Sequence, residues 1–171
     1  MLDLVLGGVR SGKSQFAEKR LQLCKEPRGY LATASNSFHR DDPEFSQRIA
    51  MHRQRRPSDW LVLEEPLQLA TAITQCNANS LLVDCVGVWL TNLLLTNDRH
   101  LLEREILSFM EVCSATEKEL VVVSSEVGFG VLPAGELSRD FVDQLGLLNQ
   151  RLAERADSVW LSIAGIVQQI K

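Results

Sequence analysis

The run Gly7-Gly8-Val9-Arg10-Ser11-Gly12-Lys13-Ser14 matches the pattern GxxxxGK[ST], and no other feature constrains the chain as much. It stands between a β-type apolar run, Leu2–Leu6, and a helical pattern over Lys13–Cys24, so strand, turn and helix are predicted in that order. Glycines let such a turn curl until successive N–H groups point inward on one anion. The helix that follows adds its unpaired N–H groups and the positive end of its dipole. Lys13 is placed to reach β- and γ-phosphates, and the Ser14 hydroxyl to ligate Mg²⁺. A tight turn that happens to contain lysine is the alternative, and the flanking strand and helix argue against it. GTP or ATP is the predicted ligand, in phosphoryl or nucleotidyl transfer.

Beyond the motif, short apolar runs alternate with longer helical patterns. Leu2–Leu6, Tyr30–Thr33, Trp60–Leu63, Leu81–Cys85 and Leu120–Ser124 read as strands, several of them apolar nearly throughout. Strands covered on both faces of a parallel sheet have that character. Lys13–Cys24, Pro43–Arg56, Leu67–Thr74, a broad stretch from Val88 to Lys118, and Leu137–Ala156 read as helical. Ser158–Ile163 and Ile166–Ile170, around Gly165, read as a closing β-hairpin. The expected fold is α/β of the P-loop NTPase kind: a mostly parallel sheet, helices on both faces, and a C-terminal hairpin. Residues 1–171 are expected to form a single nucleotide-binding domain. Ligands of such sheets bind beyond the carboxyl ends of the strands, where the polar stretch Ala34–Asp42 falls.

A net charge of −4 argues against a protein that coats nucleic acid or an anionic membrane, so bound phosphate must be met by local positive charge. No apolar stretch reaches the roughly 20 residues of a membrane span. Strand-like residues run from the N-terminus straight into the motif, which predicts no signal peptide and a cytoplasmic protein. Cys24, Cys76, Cys85 and Cys113 lie far apart, without zinc spacing; Cys24, Cys85 and Cys113 adjoin apolar runs and are expected as buried free thiols in a reducing compartment.

Asp84 ends the buried-type run Leu81-Leu82-Val83, where a carboxylate can hold the metal or its water shell. Asp42-Pro43-Glu44 is a helix start, with Asp as N-cap and Pro in the first turn. At about 100° per residue, Phe45, Ile49, His52 and Arg56 share one stripe, flanked by Arg48 and Arg55. An apolar stripe that turns into His and Arg calls for an anion, because unpaired buried charge is too costly. A neutral imidazole is a competent nucleophile toward phosphorus, so His52 is a candidate covalent acceptor. A merely structural or exposed histidine is the competing reading. His39 and His100 fall in polar, loop-like stretches and are expected at the surface.

Taken in order, these pieces resemble the bifunctional adenosylcobinamide kinase / adenosylcobinamide-phosphate guanylyltransferase family of cobalamin biosynthesis. The residues that carry the resemblance are the motif from Gly7 to Ser14, Tyr30-Leu31-Ala32-Thr33-Ala34, Arg48-Ile49-Ala50-Met51-His52-Arg53, and Arg56-Pro57 with Trp60. Further on come Val83-Asp84-Cys85, Thr91-Asn92-Leu93-Leu94, Glu126-Val127-Gly128-Phe129-Gly130 with Pro133, and Leu148-Asn149-Gln150. The resemblance implies phosphorylation of the aminopropanol hydroxyl of adenosylcobinamide by a nucleoside triphosphate. It then implies transfer of GMP from GTP, through a guanylylated histidine, to give adenosylcobinamide-GDP and pyrophosphate. The nucleophile falls on His52. The GTP contacts fall on the P-loop, on Thr33, Ala34 and Ser35, on Arg53, Gln54, Arg55 and Arg56, and on Glu64 and Asp84. A carboxylate such as Glu64 can also accept from guanine N1 and N2 hydrogens, which adenine lacks. A homotrimer with a recombinase-like P-loop fold is implied as well. Two departures from the family pattern stand out: a longer Ala34–Asp42 loop, and Ser125 where Asn commonly precedes Glu-Val-Gly.

Two rivals remain at this point. A plain small-molecule P-loop kinase needs the cradle and Asp84 but not His52. A non-enzymatic nucleotide switch needs the cradle alone. For a kinase step, Glu126 beyond a strand's carboxyl end is the candidate base.

Overall fold

Apolar residues on alternate sides of the central strands bury both faces of one sheet. In β1 (Leu2–Gly7), Leu4 and Leu6 enter one core, and Val5 enters the other. The computed structural model describes residues 1–34 and 58–171. Within them the strands are β1, β2 (Arg28–Ala32), β3 (Leu61–Glu64), β4 (Ser80–Asp84), β5 (Glu119–Val123), β6 (Ser158–Ile163) and β7 (Ile166–Gln169). They form one seven-stranded sheet in the order β3-β2-β4-β5-β1-β6-β7. All neighbours are parallel except the β6–β7 pair, so the expected mostly parallel sheet with a C-terminal hairpin is present. Ala164 and Gly165, with φ of 51° and 81°, make the two-residue turn with positive φ that suits a right-twisted hairpin.

One face carries α1 (Lys13–Gln22), whose Ala17 and Leu21 pack on Val5, Leu82, Val121 and Val123. Arg20 fixes that helix to β1: its Nη2 and Nε donate to the buried Asp3 at 2.5 and 2.8 Å, and its guanidinium lies 5.1 Å from the Trp160 ring centre. The other face carries α2 (Leu69–Gln75), α3 (Val86–Leu95), α4 (Arg99–Ala115) and α5 (Glu136–Arg155) over a core that includes Leu81, Val83, Leu120 and Val122. Trp89 and Phe109 meet there with ring centres 5.2 Å apart, and Trp89 Nε1 donates to Leu67 O at 2.7 Å.

The broad helical stretch expected from Val88 to Lys118 is two helices. Asn97 adopts a left-handed φ of 55°, and the Asp98 side chain accepts from Leu101 N at 3.0 Å. The first helix therefore stops and a capped second one starts. His100 consequently lies in the first turn of α4 rather than in a loop, and it is exposed as expected. Trp60 is buried just before β3 instead of opening it, while Leu61 and Val62 at the sheet edge are exposed. The expected helix Pro43–Arg56 lies outside the described residues. No helix among those described is long and apolar enough to cross a membrane.

Candidate functional site

β1 ends at Gly7, where no side chain fits. A Cβ on Gly7 would lie 2.5 Å from both Ser162 O and Ser11 Oγ. The chain then turns through Gly8, Val9 and Arg10, all exposed, and closes with Ser11 N donating to Gly8 O at 3.3 Å. Gly12 caps α1 at φ 94°, a left-handed conformation that favours glycine. Phe16 N then donates to Gly12 O at 3.1 Å as the helix begins. Lys13 Nζ donates to Gly8 O at 3.0 Å, so the ammonium spans the mouth of the loop. Free N–H groups, a helix N-terminus and one ammonium thus converge on one concavity.

β4 runs beside β5, which runs beside β1, and this brings the end of β4 to the cradle. Asp84 Oδ1 accepts from Ser14 Oγ at 3.3 Å, and Oδ2 accepts from the buried Tyr30 hydroxyl at 2.7 Å. Ser14 and Asp84, expected to act together, are therefore adjacent across about 70 residues of sequence. Their hydroxyl and carboxylate form a hard-oxygen pair that fits Mg²⁺, which usually takes one or two protein oxygens plus phosphates and water. Among the described residues no group of three or more His, Cys, Asp or Glu forms a self-sufficient metal cage.

Thr33 is fully buried, and its hydroxyl donates to Cys85 O at 2.8 Å and accepts from Cys85 N at 3.0 Å. Its carbonyl accepts from Asn92 Nδ2 at 2.9 Å, so this side chain ties the ends of β2 and β4 to α3. Ala34 follows it, half-buried. Glu64 is exposed at the end of β3, in register with Ala32. Burial, helped by the Asp84 charge, pushes the Cys85 thiol up to about 11, which keeps it protonated at neutral pH and unsuited to nucleophilic attack. Cys24, Cys76 and Cys113 are free and buried.

After β5 the chain is pinned twice. Ser124 Oγ donates to Asn149 Oδ1 at 2.6 Å, and Asn149 Nδ2 donates to Ser125 O at 3.1 Å. Glu126 N then donates to Gly7 O at 3.1 Å, and Glu126 Oε1 accepts from Gly128 N at 2.8 Å. An apolar cleft of about 430 Å³ opens beyond, between Leu94 on α3, Phe141 on α5, and the connecting loop at Val127 and Pro133.

The family model described as cobinamide kinase / cobinamide phosphate guanyltransferase matches residues 3–170. The chain belongs to this family. The bifunctional adenosylcobalamin biosynthesis protein CobP of Pseudomonas aeruginosa is 44% identical over 173 residues, covering 100% of this chain and 98% of that protein. The bifunctional adenosylcobalamin biosynthesis protein CobU of Salmonella typhimurium is 36% identical over 186 residues, with both chains covered in full at 100%. A solved ATPase from the type III secretion system of pathogenic bacteria superposes with a TM-score of 0.52 at 11% identity, over 94% of this chain and 50% of that one. That likeness shows the P-loop fold alone.

Of the residues expected at the site of this family member, Gly7 to Ser14, Thr33, Ala34, Glu64 and Asp84 all lie at the carboxyl edge of the sheet. Ser35, His52, Arg53, Gln54, Arg55 and Arg56, with His39, lie outside the described residues. Tyr30 and Asn149 stand in runs that carried the family resemblance, but nothing local disclosed what they bind. Ser162 gave no signal at all.

Proposed function

We propose that this enzyme of the cobinamide kinase / cobinamide phosphate guanyltransferase family phosphorylates adenosylcobinamide and then guanylylates the product. Membership of the family over residues 3–170 carries the reading, joined to a cradle in which Lys13, Ser14 and Asp84 converge. In the first reaction the aminopropanol hydroxyl attacks the γ-phosphorus of a nucleoside triphosphate, and a nucleoside diphosphate leaves. The loop N–H groups and Lys13 hold the phosphate chain and offset the charge that develops on it. Ser14 and Asp84 would hold Mg²⁺, which when bound neutralises charge on the β- and γ-oxygens. Glu126, whose backbone N–H is bonded to Gly7 O, is the candidate to take the hydroxyl proton.

In the second reaction a ring nitrogen of His52 attacks the α-phosphorus of GTP and pyrophosphate leaves. A phosphate oxygen of adenosylcobinamide phosphate then attacks the same phosphorus, forming adenosylcobinamide-GDP and freeing the histidine. Splitting one displacement into two keeps each nucleophile strong and each leaving group good. The arginines at positions 53, 55 and 56 supply charge for the phosphates, and Glu64 accepts from guanine. A homotrimer of single-domain protomers in the cytoplasm belongs to the same reading, and light scattering reports the oligomer.

The deciding experiment mixes the protein with Mg²⁺ and GTP radiolabelled at the α-phosphate, then denatures it. Label on the chain that is acid-labile and alkali-stable, as a phosphoramidate is, supports the covalent histidine. An unlabelled chain that still phosphorylates adenosylcobinamide leaves a plain kinase.

A further inference from the structure

Three residues of the cradle meet a strand that follows them by about 150 positions. Ser162 on β6 is wholly buried, and its Oγ donates to Ser11 O at 2.7 Å. Gly165 N, in the β6–β7 turn, donates to the same carbonyl at 2.9 Å. Gly7 pairs in register with Ser162 and has no room for a Cβ against its carbonyl. A Cβ on Gly12 would stand 3.3 Å from Gly165 Cα. The Ser11 hydroxyl, though buried, has no hydrogen-bond partner among the described residues, so it does nothing to orient the peptide that follows.

A trans peptide is planar and holds its C=O and N–H antiparallel. With the Ser11 carbonyl drawn outward onto the hairpin, the Gly12 N–H is turned away from the hairpin, toward the concave side of the loop. A nest of this kind binds anions only while its N–H groups point inward. Were the Ser11–Gly12 peptide free to rotate, a carbonyl lone pair would replace a donor in front of the phosphate. We propose that Ser162, with the hairpin turn behind it, is a positioning residue of the phosphate site: it locks the Ser11–Gly12 peptide in the anion-binding orientation. This rests on the reading of the loop as the phosphate site.

The experiment is calorimetric titration of inorganic pyrophosphate and of GTP, each with Mg²⁺, into the wild-type protein, Ser162→Ala and Lys13→Ala. Thermal midpoints are measured without ligand alongside. Ser162→Ala loses one hydrogen bond that orients a donor, so both ligands should bind roughly three- to tenfold more weakly, by the same factor. The fall should appear in protein that remains fully folded at the titration temperature. Should the alanine variant not fold, Ser162→Cys keeps the branching of the side chain with a weaker, slightly larger donor and takes its place. Unchanged pyrophosphate affinity in the Ser162 variant, while Lys13→Ala loses it, overturns the positioning role alone. Unchanged affinity in Lys13→Ala removes the phosphate site itself, and the inference falls with it.

Discussion

The Tyr30 hydroxyl donates to Asp84 Oδ2 at 2.7 Å while Ser14 Oγ donates to Oδ1 at 3.3 Å, so a buried phenol and the P-loop serine hold one carboxylate between them. Tyr30 sits on β2, in register with Leu82 on β4, and belongs to the buried core beneath α1 that also holds Ala32 and Trp60. The phenol cannot drift, and the carboxylate inherits its orientation. A partner that orients a metal-binding group affects metal affinity by about 10- to 100-fold when removed. Tyr30→Phe should therefore raise the Mg²⁺ concentration needed for half-maximal rate by roughly tenfold, with kcat at saturating Mg²⁺ little changed. Asp84→Asn, nearly isosteric but uncharged, should lose turnover at any Mg²⁺ concentration while its urea midpoint moves little. An unchanged Mg²⁺ dependence in both variants would sink the assignment of Asp84 to the metal.

Lys13 sets its ammonium across the mouth of the loop, bonded to Gly8 O at 3.0 Å. Both proposed reactions place a phosphate chain there, so one substitution should cripple both. Lys13→Ala should lower the kinase and guanylyltransferase rates by at least about 100-fold, as removal of a preorganised group facing developing charge commonly does. Guanylylation at the normal rate by this variant would make the loop irrelevant to that step.

Thr33 offers a prediction about stability. Its hydroxyl is both donor and acceptor to the Cys85 backbone at zero exposure, where water cannot substitute. Thr33→Val keeps the shape and strands the buried Cys85 N–H, while the Cys85 carbonyl keeps Trp89 N as a donor at 3.2 Å. Denaturant unfolding should show a loss of roughly 1–3 kcal/mol. A change below about 0.5 kcal/mol, the usual range for surface substitutions, would mean the bonds are replaced locally.

The sequence disclosed the sheet and the cradle because those signals are local. A run such as Leu81-Leu82-Val83 is buried on both faces whichever neighbours it takes, and GxxxxGK[ST] is recognisable from its own eight residues. The break at Asn97-Asp98 was also legible in principle, since Asn tolerates left-handed φ and Asp is a strong N-cap. Apolar helical periodicity on both sides, from Leu90 to Leu94 and from Leu102 to Phe109, hid it. Tyr30 with Asp84, Asn149 with Ser124, and Ser162 with Ser11 could not be read. Each pair joins residues on different elements, and the strand order that brings them together is no property of either segment.

The sharpest prediction concerns His52, because it separates the two activities. The kinase step needs a γ-phosphoryl group in line with the corrinoid hydroxyl and no covalent intermediate on the chain. The guanylyl step, as proposed, needs a ring nitrogen to hold GMP after pyrophosphate has left. His52→Asn keeps a polar side chain on the His/Arg stripe and removes the nucleophile. It should abolish both labelling by α-phosphate-radiolabelled GTP and formation of adenosylcobinamide-GDP. Phosphorylation of adenosylcobinamide should persist within about tenfold of wild type, a loss small beside the 10³-fold or greater cost of removing a covalent catalyst. If the variant still forms the GMP adduct, the nucleophile lies elsewhere, and His39 is next to be tested. If both activities vanish together in a protein that is folded by circular dichroism, His52 serves as a shared phosphate ligand rather than as the covalent carrier.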